Sequence, residues 1–191
     1  IRVKDFLEMQ IQPRKKEVSF SKVPTIVIVR NNLSKAGHQY FTFLGEEGCQ
    51  YLKDYLEERM RKGEKLSPAS AIITPAKVEK PFVRTTNISD GIREAIRKAG
   101  FRWRPYVLRS FFDTNMMLAE SKGLILRDYR VFWMGHKGDI EHTYSLNKGK
   151  LPSNVIEDMR TGYKKASKYL LTYKTAEASE NEAKLFLQSC L

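Results

Sequence analysis

Four helical patterns in a row, each followed by a glycine, most constrain what this chain can fold into. Tyr51, Leu52, Tyr55, Leu56 and Met60 recur at helical intervals across Glu46 to Arg61, ahead of Gly63. Ile88, Ile92, Ala95 and Ile96 share one face of a helix expected from Asn87, a capping residue type, to Lys98, and Gly100 follows. Leu108 to Ser121 runs to Gly123, and Asp128 to Met134 runs to Gly135. Apolar residues three and four apart line one helical face. A glycine just past the last turn takes the left-handed conformation that ends a helix without a Cβ penalty. Pro152 opens a further helical pattern, roughly Ser153 to Leu171.

Strand signals are fewer and come early. Lys22-Val23-Pro24 introduces the β-branched run Thr25 to Arg30, which reads as a buried strand. Asn31 to Gly37 carries turn formers, and His38 to Leu44 alternates Tyr40 and Thr42 against Phe41 and Phe43. Together they predict a β-hairpin with Lys35 on its turn. Ala71 to Thr74 is a further short strand candidate, ended by Pro75, while Val3, Phe6 and Met9 suit a short strand or the edge of something larger. The expected class is α+β, mostly helical, with one small antiparallel sheet. Residues 1–173 form the expected domain. Residues 174–191 form a tail whose Ala183, Phe186, Leu187 and Leu191 lie at helical spacing.

A formal charge of +12 and a pI near 9.7 point to a polyanionic partner, for which nucleic acid and an anionic membrane surface both qualify. The positive charge is not gathered on one amphipathic helix, which disfavours a membrane surface. The longest apolar run, Ile26-Val27-Ile28-Val29, is far too short to span a bilayer. Cys49 and Cys190 lie far apart without metal-ligand spacing, and His38 near Cys49 adds none, so no metal or other cofactor is expected. This cysteine usage suits a reducing, intracellular setting.

The chemistry concentrates in two stretches, Tyr106-Val107-Leu108-Arg109 and Met134-Gly135-His136-Lys137-Gly138-Asp139, with Tyr144 eight residues beyond the histidine. A phenol with an ordinary pKa of about 10 is a poor nucleophile. Its attack on a phosphodiester therefore needs cations where charge builds on phosphate. Arginine offers a planar fork of donors matched to phosphate oxygens, and histidine adds a donor or moves a proton.

In type, order and spacing these residues resemble the catalytic box of tyrosine recombinases (phage-type integrases), and in particular integrases of archaeal mobile elements. Leu33-Ser34-Lys35-Ala36-Gly37-His38-Gln39-Tyr40 and Arg104-Pro105-Tyr106-Val107-Leu108-Arg109 carry the same likeness. The resemblance implies a catalytic domain that cleaves duplex DNA through a 3′-phosphotyrosyl link and rejoins it to a partner strand. It assigns Tyr144 as nucleophile, Arg109 and His136 as phosphate ligands, and Lys35 as donor to the departing 5′ oxygen. It also implies a homotetramer on two DNA sites, a monomer or weak oligomer without DNA, and an apolar tail that docks either on a neighbouring subunit or on its own domain. Arg102, Arg104 and Lys137 are expected on the DNA backbone.

The chain departs from the family at two positions. Tyr106 stands where the family's box begins with histidine; a phenol donates a hydrogen bond but is a weaker acid-base group near neutral pH. No arginine in a Gly-Leu-Arg-like context precedes the hairpin, and Ile1 to Phe6 resembles the segment after it, so a form lacking that first arginine is expected. Two rivals remain at this level. One is a type IB topoisomerase-like enzyme, and the other is a catalytically silent DNA-binding factor. Among the other aromatics, Phe101, Trp103, Phe111 and Phe112 are expected in the core, Tyr163 in a helix, and His142 facing solvent or DNA.

Overall fold

The computed structural model describes residues 1–35, 37–75, 83–147 and 149–171. The run Thr25–Val29 forms β3 and Tyr40–Leu44 forms β4, antiparallel, with Ile26 opposite Phe43 and Ile28 opposite Phe41. Side chains alternate across a strand. Ile26, Ile28, Phe41 and Phe43 therefore join one core with residues of α3 (Val107–Ser121), α4 (Arg127–Trp133), α5 (Asp139–Leu146) and α6 (Ser153–Ala166). Met116, Phe132, Trp133, Tyr144, Met159 and Tyr163 are its large members. Val27 faces the other way and packs with Val3, Phe6 and Ile72. With both faces covered, the strand tolerates an unbroken apolar run.

The expected α+β class holds, with six α-helices and two small antiparallel sheets among the described residues. The second sheet corrects the expectation of one. Met9–Gln12 (β1) pairs with Glu17–Phe20 (β2), and the turn between them places Lys16 at φ 56°. A positive φ at lysine is uncommon, so nothing in the local composition announced this hairpin. Val18 of β2 packs against Leu56 and Met60 of α1 (Glu46–Arg61) and against Leu66. The strand expected at Ala71 to Thr74 reduces to an isolated bridge between Arg2 and Ala71. The last helix ends at Ala166 and continues as a 3-10 turn over Ser167–Tyr169, short of the expected Leu171. The tail from 174 lies outside the described residues. No helix among those described is long and apolar enough to cross a membrane.

Arginines, one buried and one half-buried, fasten the elements. Arg160 of α6 donates to Glu8 at 2.7 Å, to Glu157 at 3.3 Å and to the Pro24 carbonyl. Glu8 in turn accepts from the Ile26 amide at 2.6 Å and the Thr25 hydroxyl at 3.0 Å. This node ties α6 to the start of β3. Arg130 of α4 bridges Asp113 at 2.6 Å and Glu120 at 2.8 Å, both on α3, and so fixes the two helices against one another. By contrast α2 (Thr85–Lys98) buries none of its residues. Its first turn begins at Thr85, two residues before the expected Asn87.

Buried acids make this fold sensitive to alkali. Burial pushes the Cys49 thiol from 9.0 up to about 11. Tyr129 rises from 10.0 to about 12 through burial and the Asp158 carboxylate that accepts its hydroxyl. Tyr163 is raised as well, again chiefly by burial. The folded chain keeps these protons at pH values where the unfolded chain releases them. Stability is therefore intact below about pH 9 and falls as pH rises from there toward about 12. Denaturant midpoints measured from about pH 8 to about pH 11 should drop steadily across that window. A midpoint that stays level would contradict the burial of these three groups.

Candidate functional site

Arg109 sits in the first turn of α3, and its Nη2 donates to the Met134 carbonyl at 2.6 Å. The same nitrogen lies 3.4 Å from His136 Nε2. Guanidinium carries no acceptor, so a hydrogen bond here runs from Arg109 to an unprotonated Nε2, with the ring proton on Nδ1. The turn that presents His136 is built by the sequence. Gly135, at φ 70°, closes α4 with its amide donating to Phe132 at 2.9 Å, while the His136 amide donates to Val131 at 3.1 Å. These paired bonds form a Schellman motif. A Cβ on Gly135 would stand 2.6 Å from Tyr40 Cζ, so only glycine admits the Tyr40 ring over this turn. Arg109 and His136 are both exposed. They meet side by side on the surface.

Tyr144 is placed differently. It lies on α5, only 3% exposed, with its ring edge-on to Phe41 and Phe132 at centroid distances of 5.8 and 5.5 Å. Its hydroxyl accepts from Gln39 Nε2 at 3.2 Å, and burial raises its pKa against the opposing effect of that bond. Among the described residues its hydroxyl has no hydrogen bond to Arg109 or His136. The sequence offered no sign of this burial, because it depends on β4 lying across α5. Nor was α5 itself anticipated as a helix.

The remaining expected residues scatter around this cluster. Lys35 is exposed on the turn before β4, and Lys137 is exposed just after His136. Tyr106 caps the start of α3, is 69% exposed, and touches neither Arg109 nor His136 with its hydroxyl among the described contacts. Neither packing in the core nor a hydrogen bond inside the site is seen for it among the described residues. His142 faces solvent, as expected, and Tyr163 is buried in α6. Phe101, Trp103 and Phe111, expected in the core, are instead exposed, since α2 and the segment after it pack on no buried cluster. Phe112 alone of the four packs against the core. Arg102 and Arg104 line a surface cavity with Phe101 and Trp103.

Two residues without an assigned role prove central to the geometry. Gln39 holds the Tyr144 hydroxyl, and its neighbour Tyr40 covers Gly135. Only their place in the hairpin strand hinted at them. His38 lies beside Tyr40 with both ring nitrogens buried and without a hydrogen-bond partner. Near the chain start, Arg30 pairs with Asp5 at 2.7 Å and Arg2 donates to the Ala69 carbonyl at 3.3 Å. No group of three metal-ligating side chains occurs among the described residues. Compared with protein-family models, with curated proteins and with solved structures, the chain finds no match.

Proposed function

We propose that this chain cleaves and rejoins duplex DNA as a site-specific strand-exchange enzyme with Tyr144 as nucleophile. The observation that supports it most is the meeting of Arg109 and His136, which stand 27 residues apart in sequence. Both side chains are exposed, so a phosphodiester can reach them. The Arg109 guanidinium is held by the Met134 carbonyl before any ligand arrives, and a charge held in place stabilises developing charge with little reorganisation. The phenol oxygen attacks phosphorus and the bond to the 5′ oxygen breaks. The phenolic proton passes to solvent, and Lys35 on the hairpin gives its proton to the leaving 5′ oxygen, which departs as a hydroxyl. A 5′ hydroxyl from a partner duplex reverses these steps. The phosphotyrosyl link conserves the bond energy, so rejoining requires no nucleotide hydrolysis.

Tyr144 as found is not poised to react. Its hydroxyl must leave Gln39 and turn out of the core before it can meet phosphate beside Arg109 and His136. In this view the conformation described is the resting one, and contact with DNA favours the exposed tyrosine through its differential affinity for that state.

The test is a nicked duplex from which the cleaved 5′ fragment escapes, incubated with the full-length protein. DNA should become covalently attached, and peptide mapping should place it on Tyr144. Duplex binding with no adduct on any tyrosine would favour the silent DNA-binding factor instead. Relaxation of supercoiled DNA without joining of two duplexes would favour the topoisomerase-like enzyme.

A further inference from the structure

The end of α2 turns the chain into a basic cavity floored by stacked aromatics. Gly100, at φ 88°, donates to Arg97 at 2.9 Å, and the Phe101 amide donates to Ile96 at 3.1 Å, a second Schellman closure. The extended segment beyond it places Phe101 and Trp103 on one side, two residues apart. Their rings stack with centroids 4.2 Å apart and planes inclined by 15°. Phe101 is 46% exposed and Trp103 53%. Around them Arg93, Arg97, Arg102 and Arg104 line a cavity of about 600 Å³. That volume lies within the range of about 300–1,000 Å³ usual for small-ligand sites.

The charge is one-sided. Asp90 pairs with Arg93 at 2.5 Å, and Glu94 is taken by Lys98 at 3.0 Å. Arg97, Arg102 and Arg104 meet no carboxylate among the described residues. Three guanidinium groups without counter-charge repel a basic partner and suit a polyanion. The flat, solvated ring pair adds what a bare phosphate cannot use, a face for another planar ring. In a duplex the base faces are covered by their neighbours; in a single strand they are free.

We infer that Phe101, Trp103 and the arginines around them form a binding site for single-stranded DNA. An unpaired base stacks on the aromatic pair, and its flanking phosphates meet Arg97, Arg102 and Arg104. Stacking platforms beside basic grooves bind single strands with little sequence preference. The choice of DNA over RNA rests on the strand-exchange reading, in which unpaired strand segments arise during transfer. The stacking itself is independent of whether Tyr144 cleaves.

Fluorescence separates these possibilities because the two tryptophans differ. Trp103 is half exposed, whereas Trp133 is 3% exposed inside the core. Oligothymidylate of about ten nucleotides, within the usual site size, should quench the exposed indole, and a blunt duplex of equal length should not. Trp103→Leu should weaken oligothymidylate binding, read by anisotropy of a labelled strand, by about 5- to 150-fold. Trp103→Phe should recover much of that loss, and neither change should alter duplex affinity comparably. Residue 103 lies outside the core, so circular dichroism should match the parent chain, and the phenylalanine variant guards against a folding artefact. Equal quenching by duplex, or by oligoglutamate, would reduce the site to charge alone and overturn the inference. So would a Trp103→Leu chain that binds the single strand as tightly as before, or tighter binding of oligouridylate than of oligothymidylate. These outcomes leave the Tyr144 adduct untouched, so the two ideas fail separately.

Discussion

Phenylalanine in place of Tyr144 is expected to abolish the covalent DNA adduct and all strand exchange. Duplex affinity should stay within about a factor of a few, because only the oxygen proposed as nucleophile is removed. The fold should survive. The ring keeps its edge contacts with Phe41 and Phe132, and the loss is one hydrogen bond from Gln39. Such a bond contributes roughly 0.5–1.5 kcal/mol to stability. Adduct on a denaturing gel and a thermal melt of the same preparation measure the two effects separately. Adduct that persists in the phenylalanine chain would mean that another tyrosine attacks, and that buried Tyr144 is a core residue after all.

The largest effect on stability is expected at Arg160. Arg160→Met keeps an unbranched apolar stem but leaves Glu8 charged and partly buried without its partner. The Pro24 carbonyl also loses its donor. Breaking a buried ion pair from one side costs about 3–5 kcal/mol, mostly from the stranded charge. For a chain of this size that lowers the melting temperature by roughly 6–20 °C. The double change Arg160→Met with Glu8→Gln should recover part of the loss, since the orphaned charge is then gone. Ile26 and Thr25 would still donate to the amide oxygen. A single variant that melts with the parent chain would show that this node does not hold α6 to β3.

How much of this was legible in the sequence depends on range. The helices closed by glycine were readable because both signals, the apolar spacing and the left-handed stop, lie within one segment. The β3–β4 hairpin was readable for the same reason, through its period of two. The β1–β2 hairpin was not. Its strands have four residues each, and its turn relies on a lysine at positive φ, for which composition gives no cue. Burial was the least legible property. Phe101 and Trp103 have the composition of core residues, yet no element among the described residues covers them, whereas polar-tipped Tyr144 lies inside. Those outcomes are decided by which helices meet, and Arg130 and Arg160 settle that through ion pairs far apart in sequence. For the candidate site, the sequence suggested that Arg109 and His136 belong together. It could not say that the phenol stands apart from them.

The end of β4 gives this separation a mechanical sense. Adjacent residues there reach two different places, Gln39 to the Tyr144 hydroxyl and Tyr40 to the Gly135 turn beneath His136. The turn that precedes them carries Lys35. On the proposed reading, a DNA backbone drawing on that lysine would pull toward both seats, so that the latch on the tyrosine and the footing of the histidine share a single handle.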